Sequence, residues 1–280
     1  MKVGVDYTHA IMTRFNVERP KRHDPIRLDP DWLAGRFELF EKYCLPSVAA
    51  QTAGGFTWIV YFDAATPEPL KARIEACRRI FPFVAYFAGG ISAEFWPRSL
   101  AETLGGEGRT PAILTTRFDN DDALAADHVA RLQAAVSGQG APGRGSWNFP
   151  EGFVLEGGKL YALTHEANAF ASWLEPWDAR TRTAISINHL KMTRVGPVTQ
   201  VGGGPGWLQV VHGGNVSNKV RGRRVAPGGA AAGRFPASAL ADLRPASGAE
   251  IALENLILTP VRSARDTLVS MVRGHERVVK

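Results

Sequence analysis

The chain has 280 residues, 45% of them hydrophobic and 21% charged, with 33 Lys and Arg against 27 Asp and Glu for a formal net charge of +6. That composition excludes wholesale disorder and allows the core of one large domain or two small ones; the longest apolar stretches, such as Phe56 to Phe62, fall far short of the roughly 20 residues of a membrane-crossing helix. The positive charge fits an anionic partner, whether nucleotide, nucleic acid or membrane surface, and does not by itself choose among them.

Met1 to Tyr7 lacks the apolar core and small-residue cleavage site of a secretory signal, so a cytoplasmic chain is expected. Ala10 to Phe15 reads as a short strand. Asp31 to Ala50 reads as a helix with Leu33, Phe37, Phe40, Cys44 and Val48 along one stripe, kinked or shortened by Pro46. Phe56 to Phe62 is a near-continuous apolar run ending at Asp63, as expected of a central strand covered on both faces. Thr66 as N-cap and Pro67 at the first helical position open a second helix with Leu70, Ile74, Cys77 and Ile80 buried. Phe83 to Phe87 and Ala112 to Phe118 are further strands. The β-α-β-α-β order implies a parallel sheet with right-handed crossovers. Cys44 and Cys77 have no C-x-x-C spacing and read as buried thiols.

The most informative stretch is Ile113-Leu114-Thr115-Thr116-Arg117-Phe118-Asp119-Asn120-Asp121-Asp122, an apolar, β-branched run that ends in three carboxylates and an amide. Alternate side chains of an extended backbone share a face, so Asp119 and Asp121 point the same way where the strand stops. Two hard oxygen donors so placed suit a hydrated Mg²⁺ or Mn²⁺ that also holds a diphosphate. A second reading stands beside this one: Asp121 or Asp122 caps a helix expected over Ala123 to Val136. Both can hold at once, with Asp119 and Asp121 on the ion and Asp122 as the cap. Parallel sheets bind ligands beyond the carboxyl ends of their strands. That rule gathers Thr13 to Asn16, Asp63 and Asp119 to Asp122 in one crevice, which favours the metal.

Gly138 to Gly145 is a Gly/Pro/Ala-rich loop that could divide a nucleotide-binding half, 1–137, from an acceptor half, 146–280, within one continuous domain. Ser146 to Phe149, Phe153 to Glu156 and Lys159 to Leu163 read as short strands, with Glu156-Gly157-Gly158-Lys159 a hairpin turn. Gly202 to Gly206 lacks the Lys-Ser/Thr of a phosphate cradle and reads as a mobile loop that could close over a ligand. In Val210 to Asn218, His212 ends an apolar strand and two glycines follow, a setting suited to a metal or diphosphate contact; His189 is its weaker competitor. Gly222 to Gly233 reads as a flexible loop and Ile251 to Val272 as one or two amphipathic helices. Basic clusters lie at Arg19 to Arg22, at Lys219 to Arg224 and from Arg262 to Lys280.

Met12 to Val17, Tyr43 to Val48 with Gln51-Thr52, Trp58 to Asp63, Arg117 to Leu124 and Trp207 to Asn218 together make the chain resemble the rhamnosyltransferases, a family similar to nucleotide-diphosphosugar transferases of the GT-A fold. The resemblance covers roughly residues 9–220. It implies an α/β fold, a central and mostly parallel sheet flanked by helices with a mixed C-terminal extension. It implies metal-dependent sugar transfer from a nucleoside diphosphate donor, with rhamnose and dTDP-rhamnose as the suggested sugar and donor, to a glycan or lipid-linked glycan. The anionic partner is then a nucleotide sugar and not a nucleic acid, and the basic C-terminal region could touch a membrane peripherally.

By that resemblance Asp119 and Asp121, with His212, hold Mg²⁺ or Mn²⁺, and Asp63 meets the donor base or ribose. Thr13 and Arg14 end the strand that holds the nucleoside, and Arg14 and Arg117 are suited to phosphate oxygens. An inverting transferase needs a carboxylate base. Glu166, Glu175 and Asp178 are available, and Glu175, set among Trp173 and Trp177, is the choice. Two alternatives remain: a Mg²⁺-dependent hydrolase or nucleotidyltransferase on the same aspartates, and a glycan-binding protein without turnover.

Overall fold

The computed structural model describes residues 6–18, 25–92, 94–105, 110–138, 143–213, 220–229, 231 and 233–258. Along the chain come strand β1 (Tyr7–Arg14), helices α1 (Pro30–Leu39) and α2 (Leu45–Ala49), β2 (Thr57–Asp63), α3 (Glu68–Ile80), β3 (Val84–Ala88), α4 (Phe95–Leu104), β4 (Ala112–Asp119), β5 (Ala123–Leu124) and α5 (His128–Gly138). The second half contributes β6 (Gly145–Asn148), β7 (Glu151–Glu156), β8 (Lys159–Thr164), β9 (Ser172–Pro176), β10 (Val198–Gln200), β11 (Trp207–Val211), β12 (Arg223–Val225), α6 (Ala237–Leu240) and α7 (Gly248–Leu253).

Seven strands form one sheet in the order β10-β6-β9-β4-β1-β2-β3, and β4, β1, β2 and β3 in it are parallel. Strand β9 runs antiparallel to both β4 and β6, and β10 is parallel to β6. The sheet is therefore parallel on the side built from the first half and mixed where the second half joins it. A second sheet, β12-β8-β7-β11-β5, lies beyond it. The β7–β8 hairpin turns through Gly157 and Gly158, both at positive φ, as a two-residue primed turn requires.

The apolar runs become the buried strands because both faces of the parallel segment are covered. Tyr61 and Phe62 in β2, Ile113 and Leu114 in β4 and Trp58 beneath Phe40 are essentially fully buried. Helix α1 starts at Asp29, whose side chain accepts from the Trp32 amide, with Pro30 following. Between α1 and α2 the helix widens by one π-type turn over Phe40–Cys44, where the Leu45 amide donates to the carbonyl of Phe40. Pro46 has no amide to donate and its ring crowds the carbonyl four residues back, so the wider turn is how the expected kink is accommodated. Thr66 is not the N-cap of α3: Pro67 takes that position, and the Thr66 hydroxyl turns inward to the Asp63 carbonyl, 2.7 Å away.

The helix expected from Ala123 does not start there. Ala123 and Leu124 pair with β11 as β5, and α5 begins at His128. Helices α4 and α6 and strands β9, β10 and β12 are additions to the expected elements, and β12, paired with β8, lies inside the Gly222 to Gly233 stretch expected to be a flexible loop. The Arg19 to Arg22 cluster, Gly214 to Lys219 and residues 259–280 lie outside the described residues. Among the described residues no helix is long and apolar enough to cross a membrane.

Candidate functional site

The parallel strands all end on one edge, and the turn after β4 is its acidic centre. Asp119, the last residue of β4, pairs with Arg14 at the end of β1 in register. Its Oδ2 accepts from Arg117 Nη2 at 2.9 Å, and its Oδ1 lies 3.7 Å from Arg14 Nη2. Asp121 is buried, and its Oδ2 accepts from two elements at once, Arg36 Nη1 of α1 at 2.7 Å and His212 Nε2 after β11 at 2.9 Å. Asn120 between them accepts from Arg36 at 3.3 Å and donates to the Phe15 carbonyl at 3.1 Å, which fastens the turn to the end of β1.

Asp122 does not cap a helix. It is 1% exposed and accepts from the Val210 amide at 2.8 Å, so it holds β11 against the β4 turn and thereby positions His212. Burial, followed by the neighbouring Asp121 and Asp119 carboxylates, pushes its carboxyl well above the usual range.

Other residues singled out from the sequence fall in different places. Asp63 ends β2 on the same edge and is buried; its Oδ1 accepts from the Ala65 amide at 2.8 Å and its Oδ2 from Arg27 Nε at 3.0 Å. Thr13 is turned away from the crevice, fully buried, accepting from Trp58 Nε1 at 3.0 Å. His189 opens a short 3₁₀ turn, His189–Arg194, and its Nδ1 lies 3.4 Å from Arg117 Nη1. Burial, then the Arg117 charge, lowers its pKa to about 4. Both histidines therefore reach the acidic turn, His212 at Asp121 and His189 through Arg117.

Glu175 is not brought there. It pairs in register with Ile113, at the opposite end of β4 from Asp119, roughly 20 Å away at about 3.3 Å per residue. Its carboxylate accepts from Trp173 Nε1 at 2.5 Å and faces Arg144 and Arg182 at 3.2 and 3.3 Å. Trp173 is fully buried and has Arg182 over its ring, so this aromatic setting is packing at the far edge of the sheet. Asp178 is exposed and orders its own turn, accepting from the Arg180 amide. Glu166 does lie on the carboxyl edge. Its carbonyl accepts from Gln200, the last residue of β10, and β10 and β6 run in the same direction as β4.

The Gly202 to Gly206 loop is strapped down. Arg131 Nη2 donates to the carbonyls of Gly202 and Gly204 at 2.6 and 2.9 Å, and Arg234 Nη2 to that of Gly203 at 2.9 Å. A lid reading has no support in that arrangement.

Arg36 and Asn120 are the site residues that sequence reading passed over. Arg36 stands in a helix otherwise read by its apolar stripe, and its neighbour one turn back, Trp32, stacks on it at 5.1 Å. An arginine beside an apolar stripe was the available signal.

Asp121 and His212 are of the donor types that a small divalent ion takes. Asp121 Oδ2 and His212 Nε2, a hard oxygen and an imidazole nitrogen, lie 2.9 Å apart where the β4 turn meets the end of β11. Mg²⁺ is ordinarily held by one or two carboxylates together with substrate phosphates, so a full protein cage is not required. Among the described residues no group of three metal-binding side chains is assembled, and the donor set is correspondingly sparse.

A family model described as "Putative rhamnosyl transferase" matches residues 10–224. No curated protein matches the chain. Among solved structures, residues 1-349 of S. aureus TarS in complex with UDP superimpose at 10% identity and a TM-score of 0.42, covering 73% of this chain and 60% of that one. A longer S. aureus TarS structure gives 10% and 0.43, covering 73% and 37%. A 4-diphosphocytidyl-2C-methyl-D-erythritol synthase gives 13% and 0.37, covering 70% and 90%. The chain spans less than two thirds of either TarS structure.

Proposed function

The chain belongs to the rhamnosyl transferase family whose model matches residues 10–224, and on that premise we propose that it moves a sugar from a nucleoside diphosphate donor to a hydroxyl of a glycan acceptor, with Mg²⁺ or Mn²⁺ as cofactor. Rhamnose is the sugar that the family's description suggests, and dTDP-rhamnose is the donor this reading takes with it.

The observation that carries this reading is the interleaving of charge on the carboxyl edge: Asp119 between Arg14 and Arg117, and Asp121 between Arg36 and His212. Each carboxylate is paired with a group suited to phosphate, and each guanidinium with a group suited to a cation. A metal–diphosphate complex exchanges these partners without leaving a charge alone, which is the electrostatic requirement of such a ligand. Asp121 and His212 would hold the ion, with Asp119 beside it, and the arginines would take phosphate oxygens. When bound, the ion stabilises the negative charge that builds on the leaving nucleoside diphosphate. Asp63, held by Arg27 at the end of β2, would meet the nucleoside.

The acceptor proton needs a base on the same edge. Glu166 takes this role, since it is exposed and its carbonyl is held by Gln200 at the carboxyl end of β10, whereas Glu175 is occupied at the other end of β4.

A thermal-shift panel of nucleoside diphosphates and nucleotide sugars, with and without Mn²⁺, tests the reading. A true donor at a hundredfold excess over its Kd stabilises by about 2.7 kcal/mol, and only with the metal. If none of them stabilises the chain in a metal-dependent way, the reading fails.

A further inference from the structure

Thr115, Arg117 and Asp119 alternate along β4 and so share one face of the sheet. The chain that follows β9 runs over that face. The Ala184 amide donates to Thr115 Oγ1 at 2.9 Å, and Arg117 Nη1 lies 3.4 Å from His189 Nδ1. Ile187 and Met192, on either side of the histidine, are buried with Trp173 and Ala184, and Asn188 Oδ1 accepts from the Leu190 amide at 3.0 Å. His189, itself half-buried, therefore stands on an anchored turn.

A guanidinium only donates. His189 Nδ1 is then the acceptor, and the ring proton is on Nε2. Burial, then the Arg117 charge, keeps the ring neutral at neutral pH by lowering its pKa to about 4. Arg117 Nη2 donates to Asp119 Oδ2 at 2.9 Å, and the buried Nε has no hydrogen-bond partner among the described residues. Two contacts thus set the plane of this guanidinium, one to an acid beside the expected ion and one to a neutral ring. Where a bound ion draws Asp119 away, the ring still holds Arg117.

We propose that His189 is a positioning residue of the donor site: its Nδ1 fixes the Arg117 guanidinium in the orientation that receives a diphosphate oxygen. The role rests on the nucleoside diphosphate reading and gives His189 no contact with the ion. A neutral acceptor orients the arginine without competing for its charge, so the fork reaches the phosphate already aligned.

Isothermal titration of dTDP and UDP with Mn²⁺ into the full chain and two variants tests the role. His189→Leu is expected to bind the better nucleotide about tenfold more weakly than the wild-type chain does. His189→Asn is expected to recover most of that loss, because its Oδ1 is an acceptor as many bonds from the backbone as Nδ1. Wild-type affinity in His189→Leu overturns the positioning role alone. Equal loss in both variants also overturns it, because the ring then acts through Nε2. A wild-type chain that binds neither nucleotide overturns the donor reading, and the positioning role with it. Nitrogen NMR of the wild-type chain with labelled histidine checks the hydrogen bond without any nucleotide or variant. The Nε2–H tautomer is expected for His189 at neutral pH, and the Nδ1–H tautomer overturns the proposal.

Discussion

His212 Nε2 lies 2.9 Å from Asp121 Oδ2, a hydrogen bond between residues 91 positions apart that joins the end of β11 to the turn after β4. It is the contact by which the second sheet completes a site laid out by the first. His212→Ala removes one of the two protein donors at that point and leaves Asp121 with Arg36. Titration of Mn²⁺ in the presence of dTDP is expected to show at least tenfold weaker binding, the scale of losing a supporting group at a metal. The melting temperature is expected to change little, because His212 is partly exposed. Unchanged Mn²⁺ affinity would remove His212 from the site.

Gly152 supports the same strand from beneath. A Cβ built there falls 2.1 Å from Cδ2 of Trp207, in the strand β11 that carries His212. Trp207 is buried, stacked on Phe170 at 5.0 Å, with Nε1 donating to the Phe149 carbonyl, so it has no room to move. Gly152→Ala is expected to lower stability by about 1–3 kcal/mol or more. Chemical denaturation measures it, and a neutral result would show that the ring can shift.

Glu175 and Glu166 separate a structural carboxylate from a chemical one. Glu175→Gln keeps the shape but weakens the pairing with Arg144 and Arg182, so it is expected to cost about 1–3 kcal/mol of stability and leave turnover nearly intact. Glu166→Gln is expected to leave stability and donor binding alone and to lower kcat by about 10²-fold or more, the usual contribution of a general base. The reverse pattern would return the base to β9.

Acid stability follows from two buried histidines. His128 stacks on Phe149 at 4.0 Å with Nδ1 donating to the Gly206 carbonyl, and burial lowers its pKa from 6.5 to about 4. His9, beside the Thr116 hydroxyl, is lowered from 6.5 to about 3 by burial and then by His128. Both are neutral in the folded chain, while the unfolded chain protonates first as the pH falls. Their stabilisation is complete above the unfolded value, declines below about 6.5, and is gone once the pH has fallen through about 4 and then about 3. For His128 the loss is on the order of 3 kcal/mol. Urea midpoints are expected to be level above pH about 6.5 and to fall below it, and a His128→Gln variant to fall less steeply. A midpoint that rises on acidification would contradict this.

Much of the fold was legible because burial on both faces of a parallel sheet leaves long apolar runs: β2 and β4 stand out as sequence alone. Their polar ends, Asp63 and Asp119 to Asp122, were legible for the same reason, being where those runs break. Strand β9 was not, since Ser172 to Pro176 is short and ends in proline, and its role depends on pairing with β4 across more than fifty residues. Missing it placed Glu175 on the wrong edge. The start of α5 was misread because Asp121-Asp122 imitates a cap, while the real partner of Asp122 is the Val210 amide, far along the chain. Arg36 became a site residue only once α1 lay beside the β4 turn, a relation that periodicity does not encode.

The most direct test of the central claim is isothermal titration of dTDP and UDP into the chain and into Asp121→Asn, each with Mn²⁺ and with EDTA. The wild-type chain is expected to bind at least one of them with Mn²⁺ and to lose at least tenfold in affinity with EDTA, while Asp121→Asn binds equally weakly in both. Binding that is indifferent to the metal, or an Asp121→Asn variant that retains the metal-dependent gain, would contradict a donor site built on the β4 turn.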